Sequence, residues 1–216
     1  MKNVLLVGAP NSGKSALFNR LTGLQHKVAN YPGITIDVGS GALRSDTRAQ
    51  VWDFPGTYSL NAISGEEEVA IDALRSALAD ERPAVVAMVL DATRLEKGLT
   101  YCLQVAREAA RSKKPFLVLL NMMDILEHNE LALDLDGLRA SLGVPVLPVS
   151  ARTGNGVEAA EAALLNASAA QSPWADPPDA LIEGSAQQIG ERFVAQGEVR
   201  VRRQAKIDNW LLGTSP

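Results

Sequence analysis

Gly8-Ala9-Pro10-Asn11-Ser12-Gly13-Lys14-Ser15 is the stretch on which the fold turns. It fits the pattern G-x-x-x-x-G-K-[ST], and its context matters as much as its letters. Before it, residues 4–7 form a short aliphatic run of strand type. After it, residues 15–21 place Leu17, Phe18 and Leu21 on one helical face and stop at Gly23. A strand, a glycine-rich loop and a helix in that order make a cradle for a polyanion. Glycines let successive backbone N–H groups curl round an anion, and the helix N-terminus adds a partial positive charge. Lys14 has the reach for β- and γ-phosphates, and the Ser15 hydroxyl is a ligand for Mg²⁺.

The chain on either side alternates strands and helices. Residues 36–43 and 48–52 read as a hairpin around Ser45-Asp46-Thr47. Ser64-Gly65-Glu66-Glu67 has capping-box spacing and opens a helix through Leu78. Residues 84–90, 116–120 and 144–149 are further strands, followed by helical patterns at 99–111, 135–142 and 157–165. Unalternating aliphatic strands joined by helices predict an α/β fold of the P-loop class: a mostly parallel six-stranded sheet with helices on both faces. Ser172-Pro173-Trp174-Ala175-Asp176-Pro177-Pro178-Asp179 breaks this rhythm and reads as a linker. Residues 181–212 then look helical and are too few for a large core of their own.

Four more stretches fall where a phosphate ligand would meet them. Asp53-Phe54-Pro55-Gly56 follows the strand ending in Trp52; an acid there can hold Mg²⁺ through water, and the Gly56 N–H can sense a γ-phosphate. Asn121-Met122-Met123-Asp124 stands at the end of the strand 116–120, where ligands bind in open α/β sheets. An aspartate there can accept from guanine N1–H and N2–H together. Adenine has an acceptor at N1 and no 2-amino group, so it leaves the carboxylate unpaired, a mismatch of roughly 10⁴-fold or more. Met122 stands where an N-K-x-D motif has lysine; its stem can cover the base without a cationic contact. Ser150-Ala151-Arg152 follows the last strand, with a backbone N–H suited to guanine O6. Thr35 closes Val28-Ala29-Asn30-Tyr31-Pro32-Gly33-Ile34-Thr35, a loop that suits a switch closing on Mg²⁺ and the γ-phosphate. The plainer readings are a helix cap at Asp124 and a β-branched residue entering a strand at Thr35.

Composition narrows the field. A net charge of −4 argues against the broad basic face of a general nucleic-acid binder. One cysteine, Cys102, permits no intramolecular disulfide, and no secretory pattern follows Met1-Lys2-Asn3, so a reducing cytosol is expected. The longest apolar run, 84–90, falls well short of the roughly 18 residues a membrane helix needs. Cys102 shares a helical face with Leu99, Leu103 and Ala106 and reads as core. His26 and His128 have no second ligand near them, so no Fe²⁺ site is expected in this chain. Glu66-Glu67-Glu68 reads as a favourable acidic first turn. Arg200, Arg202, Arg203 and Lys206 before Trp210-Leu211-Leu212 read as a solvated helix with a docking tip, or as a juxtamembrane segment.

Taken together, the five motifs resemble those of the Ras-like GTPases. The finer resemblance is to the cytosolic G domains of the ferrous iron transport protein B (FeoB) family, over about residues 1–165. Three stretches carry it: Pro10-Asn11-Ser12-Gly13-Lys14-Ser15 with Leu17-Phe18-Asn19-Arg20-Leu21-Thr22-Gly23, Asp53-Phe54-Pro55-Gly56-Thr57-Tyr58-Ser59-Leu60, and Asp91-Ala92-Thr93-Arg94-Leu95-Glu96. Asn121-Met122-Met123-Asp124 is also typical of that family, whereas Phe54 replaces its usual leucine and Ala9 its usual polar residue.

The resemblance implies a G domain at 1–168, a linker at 169–180 and a short helical domain at 181–216 that stops before the family's membrane spans. It implies slow hydrolysis of GTP to GDP with Mg²⁺ at Ser15, Thr35 and Asp53. Nucleotide contacts are implied for Gly8, Ala9, Pro10, Asn11, Ser12, Gly13, Lys14, Ser15, Gly33, Ile34, Thr35, Asp53, Phe54, Pro55, Gly56, Asn121, Met122, Asp124, Ser150 and Ala151. Lys14, Thr35, Gly56 and Asn11 take the catalytic roles. Ras orients its attacking water with a glutamine just after the D-x-x-G glycine; Thr57 holds that position here and is too short for the task. Asn11 matches the asparagine of potassium-stimulated members, which with switch-loop carbonyls would bind K⁺; bracing the loop is its plainer role. The implied partners are guanine nucleotide, the membrane-spanning part of an Fe²⁺ transporter, a small cytosolic accessory protein and further copies of the chain as a homo-oligomer, at the cytoplasmic face of a bacterial inner membrane. The alternative is a soluble GTPase of ribosome or RNA biology, whose usual basic RNA-binding companion the net charge argues against. A module that binds nucleotide without hydrolysing it is a third class, against which Lys14 and Ser15 speak.

Overall fold

The computed structural model of the chain describes residues 2–23, 27–34, 36–61, 65–169, 173–193 and 196–197. The expectations placed on His26, Thr35, Ser64 and the basic stretch from Arg200 to Leu212 lie outside them. At the centre is β1 (Lys2–Gly8), flanked by β4 (Ala49–Asp53) and β5 (Ala84–Asp91), both parallel to it. β6 (Phe116–Asn121) and β8 (Val146–Pro148) extend the parallel part on one side. On the other side β3 (Asp37–Ala42) pairs antiparallel with β4, and β2 (Lys27–Asn30) antiparallel with β3. The order is β2-β3-β4-β1-β5-β6-β8, seven strands where six were expected. The added strand is mostly exposed Lys-Val-Ala-Asn, without an aliphatic run; its pairing with β3, not its own pattern, makes it a strand.

Because side chains alternate along a strand, each central strand feeds two cores. Val4 and Leu6 of β1, with Val85, Ala87 and Val89 of β5, pack under α1 (Lys14–Thr22) and α6 (Val157–Asn166). Leu5 and Val7, with Val86, Met88 and Leu90, pack on the other face against α2 (Gly65–Ala79) and α3 (Glu96–Arg111). Both faces are covered, so the strands carry no polar alternation. α5 (Leu135–Leu142) starts where Asp134 Oδ1 accepts from the Gly137 N–H at 2.9 Å and stops at Gly143, at φ 62°.

Two further features depart from expectation. A short helix, α4 (Met123–His128), begins inside the Asn121–Asp124 motif. The helix expected over 181–212 runs instead as α7 (Asp179–Arg192), and Gln196–Gly197 forms β9, antiparallel to β7 (Leu131–Ala132). The stretch before α7 is packed against the rest. Trp174 is buried and donates through Nε1 to Leu142 O at 2.7 Å, and Arg107 Nη1 donates to Asp179 Oδ1 at 2.5 Å. Ile182, Ala186, Ile189 and Phe193 join the core cluster that holds Leu99 and Cys102 of α3. Burial pushes the Cys102 thiol up to about 12, in keeping with a purely structural residue. Among the described residues, no helix is long and apolar enough to cross a membrane.

Candidate functional site

The carboxyl ends of β1, β4 and β6 open onto one rim. From β1 the loop Gly8–Ser15 turns back through a Ser12 N–H to Ala9 O bond at 3.2 Å. Asn11 and Gly13 are left-handed, at φ 63° and 78°. Such turns aim several N–H groups at one concavity and bind anions. Glycine is required at Gly8: a Cβ there would lie 2.7 Å from Val89 O. Gly56 lies against the loop from β4's side, where a Cβ would come within 3.1 Å of both Gly8 O and Pro10 N. That contact puts the Asp53–Gly56 segment on the phosphate loop itself.

Lys14 is buried and its ammonium pairs with Asp53 Oδ1. The Ser15 hydroxyl donates to the other Asp53 oxygen at 3.3 Å. The lysine, the hydroxyl and the carboxylate assigned to phosphate and Mg²⁺ therefore meet at one point. Thr57 is buried, and its hydroxyl donates to Ser59 O at 3.1 Å, so its side chain is engaged within its own turn.

Asn121 joins this end to the other. It is 2% exposed; its Nδ2 donates to Ser12 O at 3.0 Å and its Oδ1 accepts from the Ala151 N–H at 2.9 Å. Of the Ser150-Ala151-Arg152 stretch, whose backbone N–H is expected to suit guanine O6, the Ala151 N–H is thus bonded to Asn121 and the Ser150 N–H to Asn155 O. Met122 turns the chain at φ 67° into α4, whose first turn holds Asp124. The helix cap is Met122, without a side-chain bond, so Asp124 is free of the capping role. Its Oδ1 accepts from Ser150 Oγ and its Oδ2 from Arg152 Nε, each at 2.6 Å. The Ser150 hydroxyl, and then the Arg152 guanidinium, hold the Asp124 carboxyl below the usual carboxylate range.

On the switch side, Gly33 sits at φ 86° in open space, and the Ile34 N–H donates to Tyr31 O at 2.9 Å. Tyr31 packs edge-on to Trp52 and tilted against Phe54, with ring centroids 5.0 and 5.9 Å away. Arg82 lies 4.9 Å over the Tyr31 ring and donates to Pro32 O at 2.6 Å, tying this loop to the turn before β5.

Two residues outside the expected site also contribute. Arg152 reaches Asp124, as above. Arg20 of α1 donates from Nε to Ala151 O at 2.8 Å and from Nη2 to Arg152 O at 2.6 Å, pinning the base-side loop to the phosphate helix. The only sequence signal for Arg152 was its place directly after Ser150-Ala151; for Arg20 there was none.

Known proteins resemble this chain in sequence and in fold. A family model described as ferrous iron transport protein B matches residues 2–164. The Fe(2+) transporter FeoB of Leptospira biflexa is 40% identical over 157 residues, covering 72% of this chain and 22% of its own. Among solved structures, a GDP-bound point mutant of the S. thermophilus FeoB G-domain is 34% identical with a TM-score of 0.65, covering 78% of this chain and 62% of its own. NFeoB from S. thermophilus bound to GDP·AlF4⁻ and K⁺ is also 34% identical with a TM-score of 0.65, covering 79% and 63%. The chain thus spans about a fifth of the length of the transporter it matches and somewhat under two thirds of these solved chains. None of these findings supports the ribosome- or RNA-linked alternative.

Proposed function

The chain belongs to the ferrous iron transport protein B family, and on that premise we propose that it binds GTP and GDP, hydrolyses GTP, and is the regulatory G domain of an Fe²⁺ transporter. The observation that carries this reading is the bond chain Ser12 O–Asn121–Ala151 N. It ties the loop Gly8–Ser15 to the segments that carry Asp124 and Ala151, which supports reading the two as halves of one nucleotide site.

In this reading the N–H groups of Gly8 to Ser15 hold the phosphate tail. Lys14 leaves Asp53 to neutralise charge on the β- and γ-phosphates, and the carboxylate of Asp124 reads N1–H and N2–H of the base. Gly56, backed against the loop at Gly8 and Pro10, presents its N–H toward the terminal phosphate. Asp53 and Ser15 already converge through hard oxygen atoms, the donor type Mg²⁺ takes, and together with Thr35 they would hold it. Bound Mg²⁺ supplies charge neutralisation at the phosphate oxygens. Asn11, exposed on the loop at φ 63°, would hold K⁺ at the same rim. Thr57 is unavailable to orient water, so backbone groups of the two switch loops do so and turnover is slow.

The transporter role follows from the relatives' name, Fe(2+) transporter FeoB. In this reading the chain sits at the cytoplasmic face of a bacterial inner membrane and passes nucleotide state to a membrane-spanning part. We keep residues 1–168 as the G domain, 169–180 as a connection braced by Trp174, and 181–216 as the appendage leading toward the membrane. A small cytosolic accessory protein and self-association belong to the same proposal. The direct test is titration calorimetry with GDP, GTP and ATP in Mg²⁺. Guanine nucleotides should bind and ATP should not; equal binding of ATP, or no binding at all, overturns the reading.

A further inference from the structure

We propose that Arg152 guards the guanine-reading carboxylate. Its guanidinium occupies Asp124 Oδ2, so guanine completes its pair of contacts only after Arg152 swings away, and this residue tunes how fast and how tightly guanine nucleotides bind. The inference rests on the nucleotide-binding reading above and concerns the same site.

The chemistry of the competition is specific. The N1–H, C2 and N2–H edge of guanine is itself a guanidine unit: two parallel N–H donors on one carbon. An arginine head presents donors of the same kind, so it is an internal mimic of the base edge for a carboxylate. Asp124 is 7% exposed, and its two oxygens already accept from Ser150 Oγ and Arg152 Nε at 2.6 Å. Ser150 is a buried hydroxyl in a fixed turn, itself accepting from the Thr153 N–H at 3.1 Å. Arg152 differs: its side chain is 74% exposed, so little packing opposes its departure. An ion pair with one partner so exposed is worth little in water, which suits a residue that must yield to a ligand.

The backbone beneath Arg152 stays in place while the side chain moves. Arg20 holds the carbonyls of Ala151 and Arg152 at 2.8 and 2.6 Å, and the Gly154 N–H donates to Ser150 O at 2.8 Å. The swing is therefore a side-chain event on a clamped loop. Removing the guanidinium uncovers the carboxylate without loosening its support, because neither the Arg20 clamp nor the Ser150 bond uses the Arg152 side chain.

The experiment compares the whole chain with its Arg152→Ala and Arg152→Lys variants by stopped-flow binding of a fluorescent GDP analogue. Arg152→Ala should bind about two- to fivefold more tightly, chiefly through a faster association rate, and the gain should shrink at high salt, which already weakens the pair. Arg152→Lys keeps a cation able to pair with Asp124 and should fall between the two. In an Asp124→Asn background, with xanthosine diphosphate as ligand, Arg152→Ala should change nothing. Unchanged or weaker GDP binding by Arg152→Ala overturns the proposal, because a merely structural arginine gives that result. So does a gain that survives in the Asp124→Asn background. Failure of the unchanged chain to bind GDP overturns the nucleotide reading and this inference together; GDP binding indifferent to Arg152 overturns this inference alone.

Discussion

The Lys14 ammonium pairs with Asp53 Oδ1, joining the first residue of α1 to the last of β4. The two side chains are 9% and 11% exposed, so each depends on the other for its charge balance. Lys14→Ala would strand Asp53 with only the Ser15 hydroxyl. Loss of one partner of a buried pair costs on the order of 3–5 kcal/mol, and loss of a cation aimed at developing phosphate charge costs about 10²-fold or more in turnover. Thermal unfolding should move down and phosphate release should fall by that factor. Undiminished release from the Lys14→Ala chain would remove the lysine from the chemistry.

In the proposed site, Asp124 is the residue that reads the base. Asp124→Asn should weaken GDP by about 10²-fold or more and favour xanthosine diphosphate, because the amide presents a donor where guanine N1–H needs an acceptor. Competition titration of the two diphosphates measures this; equal preference for GDP before and after the change sinks the guanine assignment. The same residue fixes the acid limb. A carboxyl held below its ordinary range stays charged as pH falls through about 4. Its contribution is present above the unfolded value and is lost only as pH passes the lower, folded one. GDP affinity should therefore persist to about pH 4 and decline below it; a loss centred near neutrality contradicts this.

Asn121 is the joint between the two halves of the site. Asn121→Ala leaves Ser12 O and the Ala151 N–H without their buried partner, at a cost of about 1–3 kcal/mol for each group stranded. The melting temperature should drop, and GDP should dissociate faster because phosphate loop and base loop then move independently. An off-rate equal to that of the unchanged chain, with the fold intact, would show that the joint has no part in retention.

These features were unequally legible in the sequence. The phosphate loop could be read because its shape depends on residues such as Gly8 and Gly13, where a Cβ would meet Val89 O or Asn121. The central strands could be read because burial on both faces leaves an unbroken aliphatic run, as in Ala84–Asp91. β2 could not: Lys27–Asn30 is largely exposed, and its pairing with β3 is a tertiary fact. The end of α7 at Arg192 was hidden because the apolar spacing continues past it, whereas β9 pairs with a distant β7. Arg20 was invisible as a site residue for a similar reason. Arg20 acts on carbonyls 131 and 132 residues away, and nothing in local spacing encodes a clamp of that reach.

The exposed position of Asn11 on the loop bears on the cation dependence of hydrolysis. Asn11 is a non-glycine residue at φ 63°, exposed at the rim where Gly56 meets Gly8 and Pro10. A side chain that only braced the loop would turn inward to bond it, and no bond from the Asn11 side chain appears among the described residues. An amide oxygen there can help hold a monovalent cation, placing positive charge where an arginine finger would otherwise act. Turnover should then be several-fold faster in K⁺ than in Na⁺ at equal ionic strength, and Asn11→Ala should erase the difference while leaving GDP affinity nearly unchanged. Phosphate release measured across the two salts decides it. Equal rates in K⁺ and Na⁺ would leave Asn11 as a loop residue, and a stimulation that persists in Asn11→Ala would move the cation to other ligands on the switch loops.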